Sequence, residues 1–102
     1  MNMEDLLKQA QQFQQKMGTI QEELSQKVVT GTAGGGMVTA TVNGKGELIG
    51  LAIEQDIVNA DDVQMLQDLV LAAVNDGLNK ARELGREEMG KLTGGMNLPG
   101  MF

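Results

Sequence analysis

The sequence predicts an α+β fold in the order long helix, three-stranded antiparallel β-meander, long helix. Three observations predict it: a heptad pattern near the N-terminus, two stretches with period-2 alternation, and a second helical apolar stripe. With 102 residues, the chain is long enough for one domain with a modest core. We expect a single domain over residues 1–90, followed by a flexible tail over residues 91–102 that contains Gly and Pro.

The first helix is predicted by apolar residues between positions 3 and 24 that recur with spacings of three and four. This pattern forms an a/d seam over three heptads, on a helix roughly 33 Å long. A seam of this length normally packs on a partner, so we expect a homodimer. The candidate residues for the core and dimer seam are Leu6, Ala10, Phe13, Met17, Ile20 and Leu24.

The β-meander is predicted by alternation. Val38, Ala40 and Val42 alternate with polar or flexible residues, and Ile49, Leu51 and Ile53 follow the same period in the next strand. Asn-Gly at positions 43–44 lies between these runs and favours a tight hairpin, because both residues tolerate positive φ. The glycine triplet at 34–36 predicts an earlier turn.

The second helix is predicted to begin at Asn59, an N-cap that Asp62 completes as a capping box. It should end near Gly90, at a length of roughly 45 Å. Small residues within its apolar stripe allow another backbone to approach closely. The predicted stripe is Val63, Leu66, Val70, Ala73, Gly77, Ala81 and Leu84.

The glycine-rich segment does not match a phosphate-binding loop. Lys45 is followed by Gly46 and Glu47, without the Ser or Thr that would contact magnesium, and a strand follows where a P-loop requires a helix. We therefore expect turns here, with Lys45 at an exposed hairpin tip.

Composition argues against an enzyme. The chain has no Cys, His, Trp or Tyr, and Ser25 is its only Ser, so no nucleophile is paired with a base. We expect no cofactor, no metal and no small-molecule substrate, although a hard-cation site among Asp56, Asp61 and Asp62 stays open as an alternative. No apolar run approaches the roughly 20 residues that span a bilayer, and no signal peptide is evident.

The net charge of −6 is unevenly distributed. Residues 54–76 contain six acidic residues and no Lys or Arg, which accounts for the whole net charge. The segments on either side are close to neutral, at −1 for residues 1–53 and +1 for residues 77–102. An acidic protein is a poor nucleic-acid binder when judged by total charge alone, but this distribution leaves both helices able to present cations.

The organisation resembles the YbaB/EbfC family of bacterial nucleoid-associated proteins. The resemblance rests on the Gln-rich heptad helix, on "GGGMVTATVNGKGELIGLAIEQDIVNADDVQMLQDLVLAAVNDGLNKA", and on "KLTGGMNLPGMF". It implies a small dimer, cytoplasmic and associated with the nucleoid, that binds double-stranded DNA with low sequence specificity and contributes to nucleoid organisation or gene regulation.

The resemblance also implies that the DNA contacts lie on projecting helices, here residues 3–26 and 60–90. The candidate DNA-binding residues are Lys8, Lys16, Lys80, Arg82, Arg86 and Lys91. Two alternatives stay open. Cations in the last turns of a helix also complement its dipole. The helices could instead hold a protein partner, to which Met96, Leu98 and Met101 would offer adaptable contacts.

Overall fold

A computed structural model describes residues 2–93 of the chain. It confirms the predicted order of elements, which form an elongated molecule of 69 × 25 × 16 Å. The helices and strands are α1 (Met3–Gln26), β1 (Val28–Ala33), β2 (Val38–Asn43), β3 (Leu48–Ile53) and α2 (Val63–Thr93). The expectations for the tail beyond residue 93, including Met96, Leu98 and Met101, lie outside the described residues.

The three strands form an antiparallel sheet in the order β1-β2-β3, and α2 covers one face of β1 and β2. The alternation predicted for β2 is confirmed: Val38, Ala40 and Val42 are fully buried. Ala73 and Ala81 of α2 are buried as well. Small residues on the helix therefore let it lie close to the sheet.

The glycine triplet forms a short 3₁₀ turn, Gly34–Gly36, in which all three residues have positive φ. The second turn differs from the prediction. Among residues 2–93, only glycines have positive φ, and Gly44 is not one of them. The loop instead spans Asn43 to Glu47, with Gly46 at φ 86°. The Asn43 side chain accepts hydrogen bonds from the N–H groups of Lys45 and Glu47, and this favours the longer loop.

The alternation predicted for β3 is also broken. Val42 pairs with Leu48 while Thr41 pairs with Gly50, so a bulge at this step leaves Ile49 out of the register. The side chains aligned with the buried side of β2 are therefore Leu48, Leu51 and Ile53. They remain 46%, 45% and 37% exposed.

The second helix begins later and ends later than predicted. Asp62, and not Asn59, accepts the hydrogen bond from the third helical N–H, that of Met65, and so caps the helix that starts at Val63. Asn59 instead closes a preceding turn by accepting from the N–H of Asp61. The helix continues through Gly90 to Thr93.

The first helix is only partly packed within a single chain. Of the predicted seam, Leu24 is buried, Met17 and Ile20 are half-buried, and Leu6, Ala10 and Phe13 are exposed. The burial therefore decreases from the end of α1 that joins the sheet to its N-terminus.

Candidate nucleic-acid interface

The two helices are longer than the sheet and run past it. At 1.5 Å per residue, α1 is about 36 Å long and α2 about 46 Å, whereas six-residue strands span about 20 Å. Gln9, Gln12, Phe13 and Lys16 of α1 line a cleft of about 270 Å³ with Leu92 of α2. The first half of α1 thus lies beside the end of α2, and together they form what we call the helical arm (residues 3–20 and 81–93).

The structure separates the six candidate cations into two groups. Lys80 is held against the sheet: its Nζ lies 3.1 Å from Asp76 Oδ2 and donates to the carbonyl oxygen of Thr30 at 3.0 Å. Lys91 lies 3.3 Å from Glu88 Oε1. These two cations are at least partly neutralised by acidic neighbours.

The other four candidates carry charge without an acidic partner. Within residues 2–93, Lys8, Lys16 and Arg86 form no ion pair, and Arg82 donates only to the neutral Asn79 side chain, at 2.7 Å. All four are exposed. Arg82 and Arg86 are one helical turn apart, so they share a face of α2.

The acidic turns that precede α2 lie at the opposite end of this helix from Arg82 and Arg86. Glu54, Asp56, Asp61 and Asp62 are exposed in the turns that lead into the helix. Along the helix axis, Val63 at its start is about 28 Å from Arg82. This distance exceeds the Debye length of roughly 8 Å at physiological salt, so the acidic turns have little effect at Arg82. The arm itself carries exposed carboxylates beside these cations, among them Glu83 and Glu87.

Asp76 is the acidic residue that joins α2 to the edge of the sheet. It accepts a hydrogen bond from the N–H of Thr32 at 3.1 Å, and this bond, followed by that from Lys80, lowers the pKa of its carboxyl below the ordinary value. Together, Asp76 and Lys80 satisfy an outward N–H and an outward C=O of β1. The outer edge of this strand is thus capped by side chains.

One charged contact was missed by the sequence reasoning. Glu88 is only 5% exposed, and its Oε1 lies 2.6 Å from Nζ of Lys27, the C-cap residue of α1. Hydrogen bonding from Lys27, followed by that from Lys91, lowers the pKa of Glu88, while the bond to Glu88 raises the pKa of Lys27. The two residues are 61 positions apart, so no local sequence pattern indicates the pair.

Other kinds of site find little support in the described part of the chain. Between residues 2 and 93, no three His, Cys, Asp or Glu side chains are close enough together to hold a metal ion, so Asp56, Asp61 and Asp62 do not form the cation site considered above. The glycine turns lead into strands, as expected for a meander. No helix in this range is long and apolar enough to cross a membrane.

The fold and the arm define a class: a small α-β-β-β-α protein with cation-bearing helices that extend from a compact sheet. The sequence model of the YbaB/EbfC DNA-binding family matches residues 1–96, and the chain belongs to this family.

Relatives agree with this assignment, and a solved structure has the same fold. The chain is 54% identical to a nucleoid-associated protein of Desulfotalea psychrophila, over 97% of this chain and 93% of that protein. It is also 54% identical to a nucleoid-associated protein of Thermoanaerobacter pseudethanolicus, over 99% of this chain and 91% of that protein. The chain also superposes, with a TM-score of 0.78, on the crystal structure of an uncharacterized protein from Helicobacter pylori. The two are 26% identical, and the match covers 89% of this chain and 95% of that one.

Proposed function

We propose that the chain acts as a homodimer that binds double-stranded DNA through its helical arms, with low sequence specificity, and contributes to nucleoid organisation or gene regulation in the cytoplasm. One observation carries the proposal: four cations without acidic partners lie on the arm, Lys8, Lys16, Arg82 and Arg86, while the acidic turns before Val63 lie at the other end of α2. Membership of a DNA-binding family, whose relatives are named nucleoid-associated proteins, supports it.

The chemistry of the arm favours contact with phosphates over reading of bases. Lys and Arg neutralise phosphates and release counterions, which gives affinity without sequence information. The chain has no Trp or Tyr, so stacking on unpaired bases is not expected to contribute much. The proposed ligand is therefore duplex DNA, recognised mainly through its backbone.

The homodimer is supported by an apolar surface that a single chain leaves open. Leu48, Leu51 and Ile53 of β3 are exposed on the face that continues the buried side of β2, and α2, which covers that side, carries a groove of about 430 Å³. The groove is lined by Leu66, Gln67, Val70, Leu71 and Val74. We call these β3 and α2 residues the open flank.

The occupant we propose for the open flank is a second copy of the chain. The edge of β1 is capped by Asp76 and Lys80, whereas no hydrogen bond from residues 2–93 reaches the outer side of β3. Antiparallel pairing of two β3 strands would satisfy both edges by the same contacts and bury both apolar flanks, as a two-fold interface requires. The exposed seam residues Leu6, Ala10 and Phe13 add a second apolar surface for assembly.

The alternative function is that of a dimeric module whose arms hold a protein. The cleft around Phe13, which is 46% exposed, is the observation that favours it. Titration of a labelled mixed-sequence duplex, at about 50 mM and about 200 mM salt, separates the two functions. DNA binding predicts an affinity that falls steeply with salt and changes little with sequence. No binding at low salt, or a log-log slope near zero, would favour the protein-binding module.

A further inference from the structure

The buried carboxylate of Glu88 connects the two helices near the base of the arm. Its Oε1 lies 2.6 Å from Lys27 Nζ and 3.3 Å from Lys91 Nζ. Lys91 belongs to the same helix as Glu88, so its contact cannot join one helix to the other. Lys27 is the C-cap of α1, and among residues 2–93 its bond to Glu88 is the only ion pair that links the end of α1 to α2.

Few other contacts fix the direction of α1. Leu24 is its one buried residue within the described chain, and the N–H of Gly44 donates to the carbonyl oxygens of Leu24 and Lys27, at 2.8 and 2.9 Å. Both attachments lie at the end of α1 that joins the sheet. Further along α1, Met17 and Ile20 are half-buried, and a cleft with Leu92 adds apolar contact to α2. Apolar contacts tolerate sliding, so an ion pair to α2 constrains the angle of α1 more sharply than they do.

The length of α1 amplifies any change at its base. Lys8 is 19 residues from Lys27, or about 28 Å along the helix. A rotation of about 10° at the base would move Lys8 by about 5 Å, more than the 2.7–3.2 Å over which a hydrogen bond forms. The angle of α1 therefore decides whether Lys8 and Lys16 can contact the same duplex as Arg82 and Arg86.

Burying the carboxylate of Glu88 costs free energy. A carboxylate loses hydration when it is buried, and an apolar side chain of similar volume often stabilises a fold as well or better. Ion pairs and hydrogen bonds, however, require a specific geometry, whereas apolar contacts tolerate sliding. A charged contact between α1 and α2 is thus suited to fixing one angle.

We propose that Glu88 is a positioning residue for DNA binding: without touching DNA, it holds Lys27 and so fixes the angle between α1 and α2. The role in DNA binding rests on the proposed function, whereas the effect on the angle does not. The two parts can therefore be tested separately.

The angle is tested by distance measurements between spin labels. The chain has no Cys, so Gln11→Cys and Asn75→Cys introduce a unique pair on exposed positions of α1 and α2. Proteins that carry only one of the two Cys substitutions give the distances between copies of the chain. We expect Glu88→Gln to shift or at least double the width of the distance distribution within a chain. Glu87→Gln, which removes an exposed carboxylate one residue away, should leave the distribution unchanged.

Duplex affinity measured on the same variants separates loss of a charge from loss of the helix angle, because the two predict opposite changes in affinity. Each substitution removes one negative charge, which by electrostatics alone strengthens binding to DNA. We expect Glu88→Gln to weaken duplex binding at least three-fold, and Glu87→Gln to leave it equal or slightly stronger. If Glu88→Gln binds as Glu87→Gln does, or if its distances match wild type, the proposal is wrong.

A second variant covers the case in which Glu88→Gln does not fold. Lys27→Gln leaves Glu88 paired with Lys91, and the Lys27 side chain is 45% exposed, so the fold should tolerate the change. It should alter the distances within a chain, whereas Lys45→Gln at the hairpin tip should not. If wild type fails to bind duplex DNA while Lys27→Gln still alters the distances, the proposed function fails and the control of the angle stands. Unaltered distances in Lys27→Gln would overturn the proposal.

Discussion

The backbone of β1 at Gly31 lies directly against the backbone of α2 at Gly77. A Cβ added to Gly31 would overlap Gly77 N and Ala73 O and would lie 2.7 Å from Gly77 Cα. Backbone atoms cannot move aside as the end of a flexible side chain can. This contact sets the depth at which α2 lies on the sheet, and through it the position of the arm.

We therefore expect Gly31→Ala to destabilise the fold by on the order of 1–3 kcal/mol, because the methyl group must push the helix away from the strand. Denaturant unfolding measures the change. The matched control is Gly18→Ala, where a Cβ would meet nothing within 4 Å on an exposed helical face. It should stabilise α1 by up to about 1 kcal/mol. Equal effects of the two substitutions would contradict the close approach.

The Glu88–Lys27 pair should make stability depend on pH. The folded pKa of Glu88 is lowered, so its contribution is present above the unfolded value and is lost as pH falls through the folded value. The folded pKa of Lys27 is raised, so its contribution is lost only as pH rises through that value in the alkaline range. Near neutral pH both contributions are present.

The difference in unfolding free energy between wild type and Glu88→Gln should therefore shrink as the pH is lowered from neutral to below the ordinary carboxyl pKa of 4.5. Unfolding curves for both proteins across this range measure it, with Glu87→Gln as the control for loss of one carboxylate. A difference that stays constant with pH would show that the ionised pair does not contribute.

The open flank should be the site of self-association. Leu51 is 45% exposed within one chain, so Leu51→Glu should leave the chain folded but halve the mass measured in solution by light scattering. Ala52→Glu places the same charge on the opposite face of β3 and should keep the larger mass. Retention of the larger mass by Leu51→Glu would remove this surface from the proposed interface.

The predicted seam of α1 can be tested in two parts. Ile20 is half-buried within one chain, so Ile20→Asp should lower the melting temperature. Phe13 is 46% exposed, so Phe13→Asp should act mainly on assembly and reduce the mass in solution. If neither variant changes mass or melting temperature, the seam assignment fails.

Period-2 alternation was enough to predict the sheet, and heptad spacing was enough to predict α1, because burial on one face imposes both patterns. The turns were harder. Asn43 and Asn59 each have side chains that can cap a turn or a helix, and tertiary context decided between these uses. The composition of β3 does not indicate the bulge that displaces Ile49.

The candidate cations could be found in the sequence, but which of them lack acidic partners could not. The pairing of Lys80 with Asp76 follows an i,i+4 spacing that the sequence does contain. The bond from Lys80 to Thr30 and the burial of Glu88 against Lys27 join residues 50 and 61 positions apart, and they arise only when the helices fold onto the sheet.

The central claim, that free cations of the arm bind the phosphates of duplex DNA, is tested most directly by the salt dependence of duplex affinity in wild type and Arg82→Ala/Arg86→Ala. If each of the four arginines in a dimer neutralises one phosphate, the log-log slope should become shallower by up to about 3.6. Lys80→Ala removes a cation held by Asp76 and Thr30 and should change the slope by less than about 1. An unchanged slope in the double variant, or an equal change in Lys80→Ala, would contradict the account.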